Sequence, residues 1–170
     1  MERLPIKDRV IVAMLGFFLA VAFTLELYWL GHPVDLPAQA GSSFMAHLFE
    51  IYSDCDRAYY DAINPFTRAL ELINVWFTQL LNVWLLYAIW KRRPYRHGLQ
   101  LLLGSYVSYS VSLYFLSAHL SGYENMKYRS GYTYFLFYAT NLPWLLAHLY
   151  LAGDSLVAIT RRFAAAREPT

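Results

Sequence analysis

Four apolar runs, each long enough to cross a lipid bilayer as a helix, constrain this chain more than any other feature. A helix that crosses about 30 Å of hydrocarbon needs roughly 20 mostly apolar residues. The runs are bounded by charged, Pro-containing or Gly-containing sequence and occupy residues 10–30, 66–90, 99–120 and 132–159. The pattern predicts an all-α membrane protein, a four-transmembrane-helix bundle formed by a single domain of residues 1–170.

The composition agrees with a membrane location and excludes several function classes. Hydrophobic residues make up 58% of the chain and charged residues 15%, whereas soluble domains carry about 25% charged residues. A net charge of +2 without a basic patch argues against nucleic-acid binding. The single cysteine, Cys55, excludes a multi-cysteine metal site, and the histidines lack metal-ligand spacing. We therefore expect neither a metal nor a cofactor.

The basic residues predict how the bundle is oriented. Short cytoplasmic segments are enriched in Lys and Arg, and ten of the 14 basic residues fall in the two terminal segments and the loop between the second and third runs. We expect both termini to be cytoplasmic, and Asp154 to reach water or pair with Arg161 or Arg162. The ten residues are Arg3, Lys7, Arg9, Lys91, Arg92, Arg93, Arg96, Arg161, Arg162 and Arg167.

The loop of residues 31–65, on the non-cytoplasmic side, contains apolar and aromatic residues at a roughly helical spacing. A helix here would act as an interfacial lid over the bundle. The alternative is a polar connector with incidental aromatic residues. The residues concerned are Phe44, Leu48, Ile51, Tyr52 and Tyr59.

Two acids, Glu26 and Glu71, lie inside the apolar runs. Glu26 is close to the outer end of the first run and Glu71 is early in the second, so antiparallel helices would place both at a similar depth. An ionisable group within a span costs several kcal/mol unless it faces protein or water, which makes it a candidate functional residue. The alternative is that either acid is solvated at the interface.

Polar residues also share one face in each of the other predicted helices. In the second run Glu71, Asn74, Thr78 and Asn82 recur at steps of three and four residues. Small and polar residues often hold membrane helices together, but that role does not require two carboxyls at one depth. We therefore predict an internal lipophilic cavity lined by Asn74, Tyr109, Ser112, Tyr138, Asn141 and Trp144.

A pair of enclosed carboxyls supports acid–base chemistry without a cofactor. Removal from water favours the protonated form, and a second carboxyl nearby strengthens that preference in one member of the pair. One carboxyl could then protonate an alkene carbon while the other removes a proton from a neighbouring carbon. The aromatic face of Trp144 would favour the intermediate carbocation, and the same cavity would attract amphiphilic amines.

Several short motifs follow one another in a recognisable order along residues 10–163. By them the chain resembles the emopamil-binding protein family, the EXPERA-domain group that includes sterol 8,7-isomerase and the sigma-2 receptor. The motifs comprise Tyr52, Asp56 and Tyr59, then Phe66-Thr67 with Glu71, then Gln100, Leu113-Tyr114-Phe115-Leu116, His119, Gly122, Tyr134-Phe135 and Asn141-Leu142-Pro143-Trp144.

The resemblance implies specific roles for some of these residues. Glu26 and Glu71 fall on the family's paired acids, and Asn141 and Trp144 on its helix-four asparagine and cation-stabilising tryptophan. Asp56 falls on the loop acid, and His119 also matches the family, so both are expected to support the site. The implied reaction of the isomerase moves a ring double bond from the 8 to the 7 position without cofactor or metal.

The chain departs from the isomerase pattern at two positions. It has Ala22 where the isomerase has a histidine, and Val111 where the isomerase has an aspartate. These differences leave two hypotheses open. One is a membrane-embedded isomerase, or a related proton-initiated cyclase, for a sterol-like or terpenoid-like polycycle that enters from the bilayer. The other is a non-catalytic protein that binds sterols, lipids and cationic amphiphiles, like the sigma-2 receptor.

The remaining expectations concern partners and location. Small residues on several helices would permit a homodimer. A multi-pass protein of this kind would reside in the endoplasmic reticulum membrane of a eukaryote or the inner membrane of a bacterium.

Overall fold

The computed structural model describes residues 4–32, 36–39, 41 and 43–167. The predicted cytoplasmic residue Arg3 and five positions of the predicted lid loop lie outside this part. The described residues form five helices that we number in chain order, together with short 3₁₀ turns at Pro37–Gln39 and Arg57–Tyr59. The helices are α1 (Ile6–Gly31), α2 (Phe44–Tyr52), α3 (Pro65–Trp90), α4 (Arg96–Leu120) and α5 (Gly131–Ala165).

Four of these helices confirm the predicted fold class. Within the described residues, α1, α3, α4 and α5 are each long and apolar enough to cross a membrane. Their limits agree with the predicted runs within a few residues, except that α5 continues to Ala165. The side of the membrane on which the termini lie stays a prediction.

The two ends of the bundle differ in composition. The basic end carries Lys7, Arg96 and Arg162, and the lid end is the one covered by α2. Near the basic end the helices bury an apolar core, while many large apolar side chains point outward, as expected for surfaces that contact lipid. The core residues are Ile11, Leu15, Leu81, Leu85, Ile89, Leu99, Leu103, Val107 and Leu151.

Gly104 allows α4 and α5 to approach closely. A Cβ atom at this position would lie 2.6 Å from both the amide nitrogen of Ala152 and the carbonyl oxygen of His148. Only a residue without a side chain therefore fits at this crossing, in keeping with the small residues found where membrane helices pack.

Helices α1 and α3 each contain a π-helical segment at the same level of the bundle, Ala22–Glu26 in α1 and Ile73–Thr78 in α3. A π segment inserts an extra residue into the turn and is frequent at functional sites. In α3 the carbonyl oxygens of Ile73 and Asn74 accept hydrogen bonds from the side chains of Thr78 and Gln79, at 3.3 and 3.2 Å.

The predicted helix in the long loop is present as α2. Tyr59 belongs to the separate turn that follows it, so the predicted helical recurrence is correct only for the residues up to Tyr52. The chain then enters α3 through Asn64, whose side chain accepts a hydrogen bond from the amide of Thr67 at 2.8 Å. Pro65 occupies the first helical turn, where its missing N–H costs nothing.

Ion pairs tie the helices together at the basic end. Asp154 of α5 pairs with Lys7 of α1 and accepts a hydrogen bond from Gln100 of α4 at 3.0 Å. The expectation that Asp154 reaches water or pairs with Arg161 or Arg162 is therefore wrong, because its side chain is only 3% exposed and faces α1 and α4.

Candidate functional site

A cavity of about 470 Å³ lies between α1, α2 and α5. Its wall is mostly apolar, and two of its lining residues, Phe17 and Ala139, are exposed on the outside of the bundle, Phe17 to 58%. These two residues lie on the outer faces of α1 and α5, which are the faces that would contact lipid. The apolar wall includes Phe17, Val21, Leu25, Leu48, Ile51, Leu136, Ala139 and Pro143.

A second compartment of about 90 Å³ lies between α3, α4 and α5. Five residues line both compartments: Glu26, Tyr59, Glu71, Asn141 and Trp144. The two predicted acids, the predicted asparagine and the predicted tryptophan are thus brought together at the junction of the compartments.

Glu26 is hydrogen-bonded to the neighbouring helix α3 through the side-chain amide of Asn74. The Nδ2 atom of Asn74 donates a hydrogen bond to Oε2 of Glu26 at 2.5 Å. Glu26 is the last residue of the π segment in α1, and Asn74 lies within the π segment of α3. The two irregular segments therefore meet where a polar contact between the helices is made.

Glu71 is held from the loop above it. The hydroxyl of Tyr59 donates a hydrogen bond to Oε1 of Glu71 at 2.5 Å. The other oxygen, Oε2, is enclosed and has no hydrogen-bond partner among the described residues. A buried carboxyl oxygen without a hydrogen-bond partner lowers the stability of the fold, so its presence calls for an explanation.

Tyr59 is itself fixed by aromatic neighbours. Its ring packs against Trp29 and Tyr52 with centroid separations of 5.0 and 5.2 Å, and its carbonyl oxygen accepts a hydrogen bond from Nε1 of Trp29 at 2.8 Å. Burial, followed by the neighbouring Glu71 carboxyl, raises the pKa of Tyr59 well above its ordinary value. The phenol therefore stays protonated and acts as a donor to Glu71.

Asn141 connects α5 to the loop. Its Nδ2 atom lies 3.1 Å from the hydroxyl of Tyr52 and 2.8 Å from the carbonyl oxygen of Phe137, and it donates to both. Burial raises the pKa of Tyr52, so this hydroxyl also remains protonated. All three hydrogen bonds that the Asn141 side chain forms within the described part of the chain are donated by Nδ2, and Asn141 lines both compartments.

Asp56 lies on the lid side of the carboxyl pair. Its Oδ2 accepts a hydrogen bond from the hydroxyl of Tyr114, and its Oδ1 accepts one from the amide of Ala58 at 2.9 Å. Burial raises the pKa of Asp56 above its ordinary value, although both hydrogen bonds act in the opposite direction. Tyr114 also lines the smaller compartment, so it separates Asp56 from the space beside Glu71.

A third cavity, of about 300 Å³, lies on the other side of Asp56. Its wall is a mixture of polar and apolar groups, and the polar ones include Asn64, Ser117, Ser121 and Glu124. Asp56 and Tyr114 line this cavity too. The Asp56–Tyr114 pair therefore lies between this cavity at the lid end and the compartment that contains Glu26 and Glu71.

Trp144 is at the basic-end limit of the lipophilic cavity. Its ring packs against Phe18 with a centroid separation of 4.1 Å and is stacked on His148 at 6.1 Å. His148 is fully buried beneath it, with Nδ1 2.8 Å from the carbonyl oxygen of Trp144. His148 lies outside the lining of both compartments.

The structure places four predicted site residues elsewhere. Tyr109, 68% exposed, and Ser112 lie on the outer face of α4, so the prediction that they line the cavity is wrong. Tyr138 contacts the hydroxyl of Tyr123 at 2.7 Å instead of entering either compartment. His119 is exposed at the end of α4 and also lies outside both compartments.

Other residues of α4 line the smaller compartment instead of Tyr109 and Ser112. The α4 contribution to the smaller compartment comes from Tyr106, Val107, Ser110, Val111 and Tyr114. The hydroxyl of Tyr106 lies 2.7 Å from Oγ1 of Thr78. These positions also recur at steps of about four residues. Two polar stripes run along α4, and the sequence does not say which one faces inward.

The two departures from the isomerase pattern lie within the same region. Ala22 is fully buried at the start of the π segment of α1, and Val111 lines the smaller compartment. The site thus has apolar groups at these two positions and carboxyls at Glu26 and Glu71.

Over residues 44–155 the chain matches the family described as EXPERA (EXPanded EBP superfamily). The matched segment includes α2, α3, α4, most of α5 and the residues Glu71, Asn141 and Trp144, while Glu26 precedes it. This match and the four long apolar helices agree with an integral multi-pass membrane protein. At the level of the family, the match agrees with a sterol isomerase or a sterol-binding protein and fits binding of a lipophilic ligand from the bilayer. The chain belongs to the emopamil-binding protein, or EXPERA, family.

Proposed function

We propose that this protein is a membrane-embedded isomerase that moves a carbon–carbon double bond in a sterol-like or terpenoid-like polycycle, or carries out a related proton-initiated cyclisation. One observation carries the proposal. Glu26 and Glu71 line the same lipophilic cavity, and each accepts a hydrogen bond from a neutral donor, Asn74 or Tyr59.

The chemistry requires one protonated and one ionised carboxyl. The protonated carboxyl transfers its proton to one alkene carbon, and the neighbouring carbon becomes a carbocation. The ionised carboxyl then removes a proton from an adjacent carbon, and the electrons of that C–H bond form the new double bond. One proton enters the substrate and one leaves, so the reaction needs no oxidant or reductant.

The cavity would stabilise the cationic intermediate in two ways. The ionised carboxylate carries the opposite charge, and the face of Trp144 lines the same space. A desolvated cation over an aromatic ring gains about 2 kcal/mol. Because these groups are fixed by packing against Phe18 and by hydrogen bonds from Asn74 and Tyr59, they need little reorganisation during the reaction.

A lateral opening beside the exposed Phe17 would suit a substrate that is dissolved in the bilayer. The apolar wall would hold the polycycle, while the side-chain oxygen of Asn141 would orient a polar group on it. Asp56 would support the carboxyl pair through Tyr114. Cationic amphiphiles that resemble the intermediate in charge and shape should bind in the same place, with the ammonium group near Glu26 and Glu71.

A non-catalytic sterol-binding and amine-binding protein is the second candidate. It is favoured by Ala22 and Val111, which place apolar groups where the isomerase has a histidine and an aspartate. In that case the carboxyls would bind cationic ligands and organise the cavity without transferring protons.

Incubation of the purified protein with a panel of sterols and terpenoids in heavy water distinguishes the two candidates. An isomerase incorporates deuterium from solvent at a carbon and moves the double bond, as mass spectrometry and NMR would detect. Glu71→Gln and Glu26→Gln should each reduce turnover by at least about 100-fold, the scale of general acid–base catalysis.

The matched control is Glu50→Gln, which removes an exposed carboxyl from α2. It should retain full turnover. An absence of label and of new double-bond isomers across the whole panel, together with amine binding that Glu71→Gln abolishes, would favour the binding protein and reject the isomerase.

A further inference from the structure

The proposed reaction leaves the two carboxyls with exchanged protonation states after each turnover. The carboxyl that protonates the alkene ends ionised, and the carboxylate that removes a proton ends protonated. Before the next turnover, protons must pass directly between the two carboxyls or be exchanged with water. The lipophilic cavity has a mostly apolar wall, which is a poor path for a proton. Polar groups toward the lid end offer a better one.

The smaller compartment beside Glu71 is the first part of that path. Its volume of about 90 Å³ has room for a few water molecules, each of which occupies about 30 Å³ in the liquid. Oε2 of Glu71 is buried and has no hydrogen-bond partner among the described residues. Tyr59, Asn141 and Tyr114 line the same space. A water molecule there would therefore have the polar partners that buried water requires.

The Asp56–Tyr114 pair is the second part of the path. The hydroxyl of Tyr114 donates a hydrogen bond to Oδ2 of Asp56. Tyr114 lines both the smaller compartment and the third cavity, which we call the lid-end cavity, whereas Asp56 lines only the latter of these two. A phenol can accept a proton on one side while it donates its own on the other. Tyr114 therefore connects the two spaces chemically.

The lid-end cavity is the third part of the path. Its volume of about 300 Å³ has room for several water molecules. Three polar residues of its lining, Ser117, Ser121 and Glu124, are exposed. They lie on the last turn of α4 and in the segment that follows it, where the apolar span ends. Water held by these side chains could exchange with the aqueous phase.

Asp56 is the group on this side of the bundle that is best suited to gain and lose a proton. Its ordinary pKa is 3.8, and burial raises it above that value. Burial also raises the pKa of the neighbouring Cys55 to about 12 and raises those of Tyr52 and Tyr59 above their ordinary values. These three groups therefore keep their protons, and the path goes through the carboxyl of Asp56.

We propose that Asp56 and Tyr114 form a proton relay between Glu71 and water at the lid end, an inference that rests on the proposed acid–base function of Glu71. In the outward direction, a water molecule in the smaller compartment accepts the proton of Glu71 and passes one of its own to the hydroxyl oxygen of Tyr114. Tyr114 passes its own proton to Asp56, which releases it to water in the lid-end cavity. One O–H bond forms for each that breaks, so no oxidant or reductant is needed. The reverse sequence protonates Glu71.

Infrared spectroscopy of the full-length protein in detergent tests the relay without any substrate. After a rapid change from H₂O to D₂O, the C=O stretching band of a protonated carboxyl shifts as deuterium replaces its proton. The band of the carboxyl pair is the one that disappears in Glu71→Gln or Glu26→Gln, and it is followed at a pH low enough to protonate one member of the pair. We expect Asp56→Asn and Tyr114→Phe each to slow this shift at least about tenfold, a barrier increase of about 1.4 kcal/mol.

Two features of the design separate a relay from a merely structural role. Asp56→Asn retains a side-chain oxygen for the amide of Ala58 but cannot carry a proton, and a variant that only loosened the fold would admit water and speed the exchange. The matched control is Tyr123→Phe, which removes a hydroxyl from the lining of the lid-end cavity that contacts Tyr138 instead of Asp56. It should exchange at the wild-type rate.

The results for the relay and for the isomerase reaction are separable. Wild-type or faster exchange in either Asp56→Asn or Tyr114→Phe, or an equal slowing in Tyr123→Phe, would overturn the relay even if sterol isomerisation is observed. Slower exchange in both relay variants, with no isomerisation of any compound in the panel, would support the relay and reject the isomerase reaction.

Discussion

Asn74 on α3 donates a hydrogen bond to Glu26 on α1 across 2.5 Å. On its own helix, Asn74 follows the other acid, Glu71, by three residues. One amide therefore connects the helix of one membrane-embedded acid with the carboxyl group of the other. The contact explains how two acids distant in the sequence share one cavity.

Replacement of Asn74 by leucine should destabilise the protein by about 1–3 kcal/mol, because it leaves the enclosed carboxyl of Glu26 without its donor. Adding Glu26→Leu to that variant should restore much of the lost stability, because removing both polar partners destabilises a protein far less than removing one. Unfolding of the purified protein in detergent measures both effects. Ser112→Leu, on the outer face of α4, is the control and should be nearly neutral. A double variant less stable than Asn74→Leu alone would contradict the assignment.

Asp56 should make stability depend on pH in the acidic range. Because burial raises the pKa of Asp56 above its ordinary value of 3.8, the folded state retains this proton more tightly than the unfolded state. The corresponding stabilisation is complete below that ordinary value and disappears as the pH rises through the raised pKa. Melting temperatures of Asp56→Asn should therefore fall less steeply with rising pH than those of the wild type. Parallel profiles for the two proteins would refute this.

Gly104 should tolerate no side chain at the α4–α5 crossing. A Cβ atom would lie 2.6 Å from backbone atoms of Ala152 and His148, and backbone cannot move aside as a flexible side chain can. We expect Gly104→Ala to reduce the free energy of unfolding by about 1–3 kcal/mol, the usual range for overpacking. Gly153→Ala is a matched control, since its Cβ would meet no atom within 4 Å, and it should be neutral or stabilising. Wild-type stability of Gly104→Ala would show that α4 and α5 pack more loosely than these distances indicate.

The lateral opening should be the route by which ligands enter. Ala139 lies in its wall and is exposed, so Ala139→Phe would fill space that a ligand must cross. Fluorescence titration with a dansyl-labelled long-chain amine should show at least about tenfold weaker binding, a change of about 1.4 kcal/mol. Leu146→Phe, which enlarges an exposed side chain of α5 outside the cavity, should bind normally. Unchanged affinity in Ala139→Phe would place the entrance elsewhere.

Much of the architecture could be predicted because hydrocarbon imposes a simple length requirement on each helix. The four spans and the shared face of Glu71, Asn74, Thr78 and Asn82 follow from that requirement and from helical periodicity, and all but Asn74 of these four are buried. The same reasoning misplaced Tyr109 and Ser112, because α4 has two polar stripes and rotation about its axis depends on how it packs against α5.

The contacts that complete the site could not be predicted from spacing. Tyr59 reaches Glu71 from a loop turn, and Tyr114 reaches Asp56 across 58 positions of the chain. Their residue types were visible in the sequence, but nothing in their spacing specifies which acid each hydroxyl binds.

The sequence by itself determined that the chain has four apolar spans, that two of them contain an acid, and that the basic residues gather at one end. These properties depend on composition and periodicity. They decide which segments partition into lipid, whatever tertiary contacts the segments later form. Only the tertiary structure decided that Glu26 is bound by Asn74, that Glu71 is bound by Tyr59, and that Asp56 and Tyr114 line the same cavity. Those relationships depend on the rotation and crossing of packed helices, set by close approaches such as the one at Gly104.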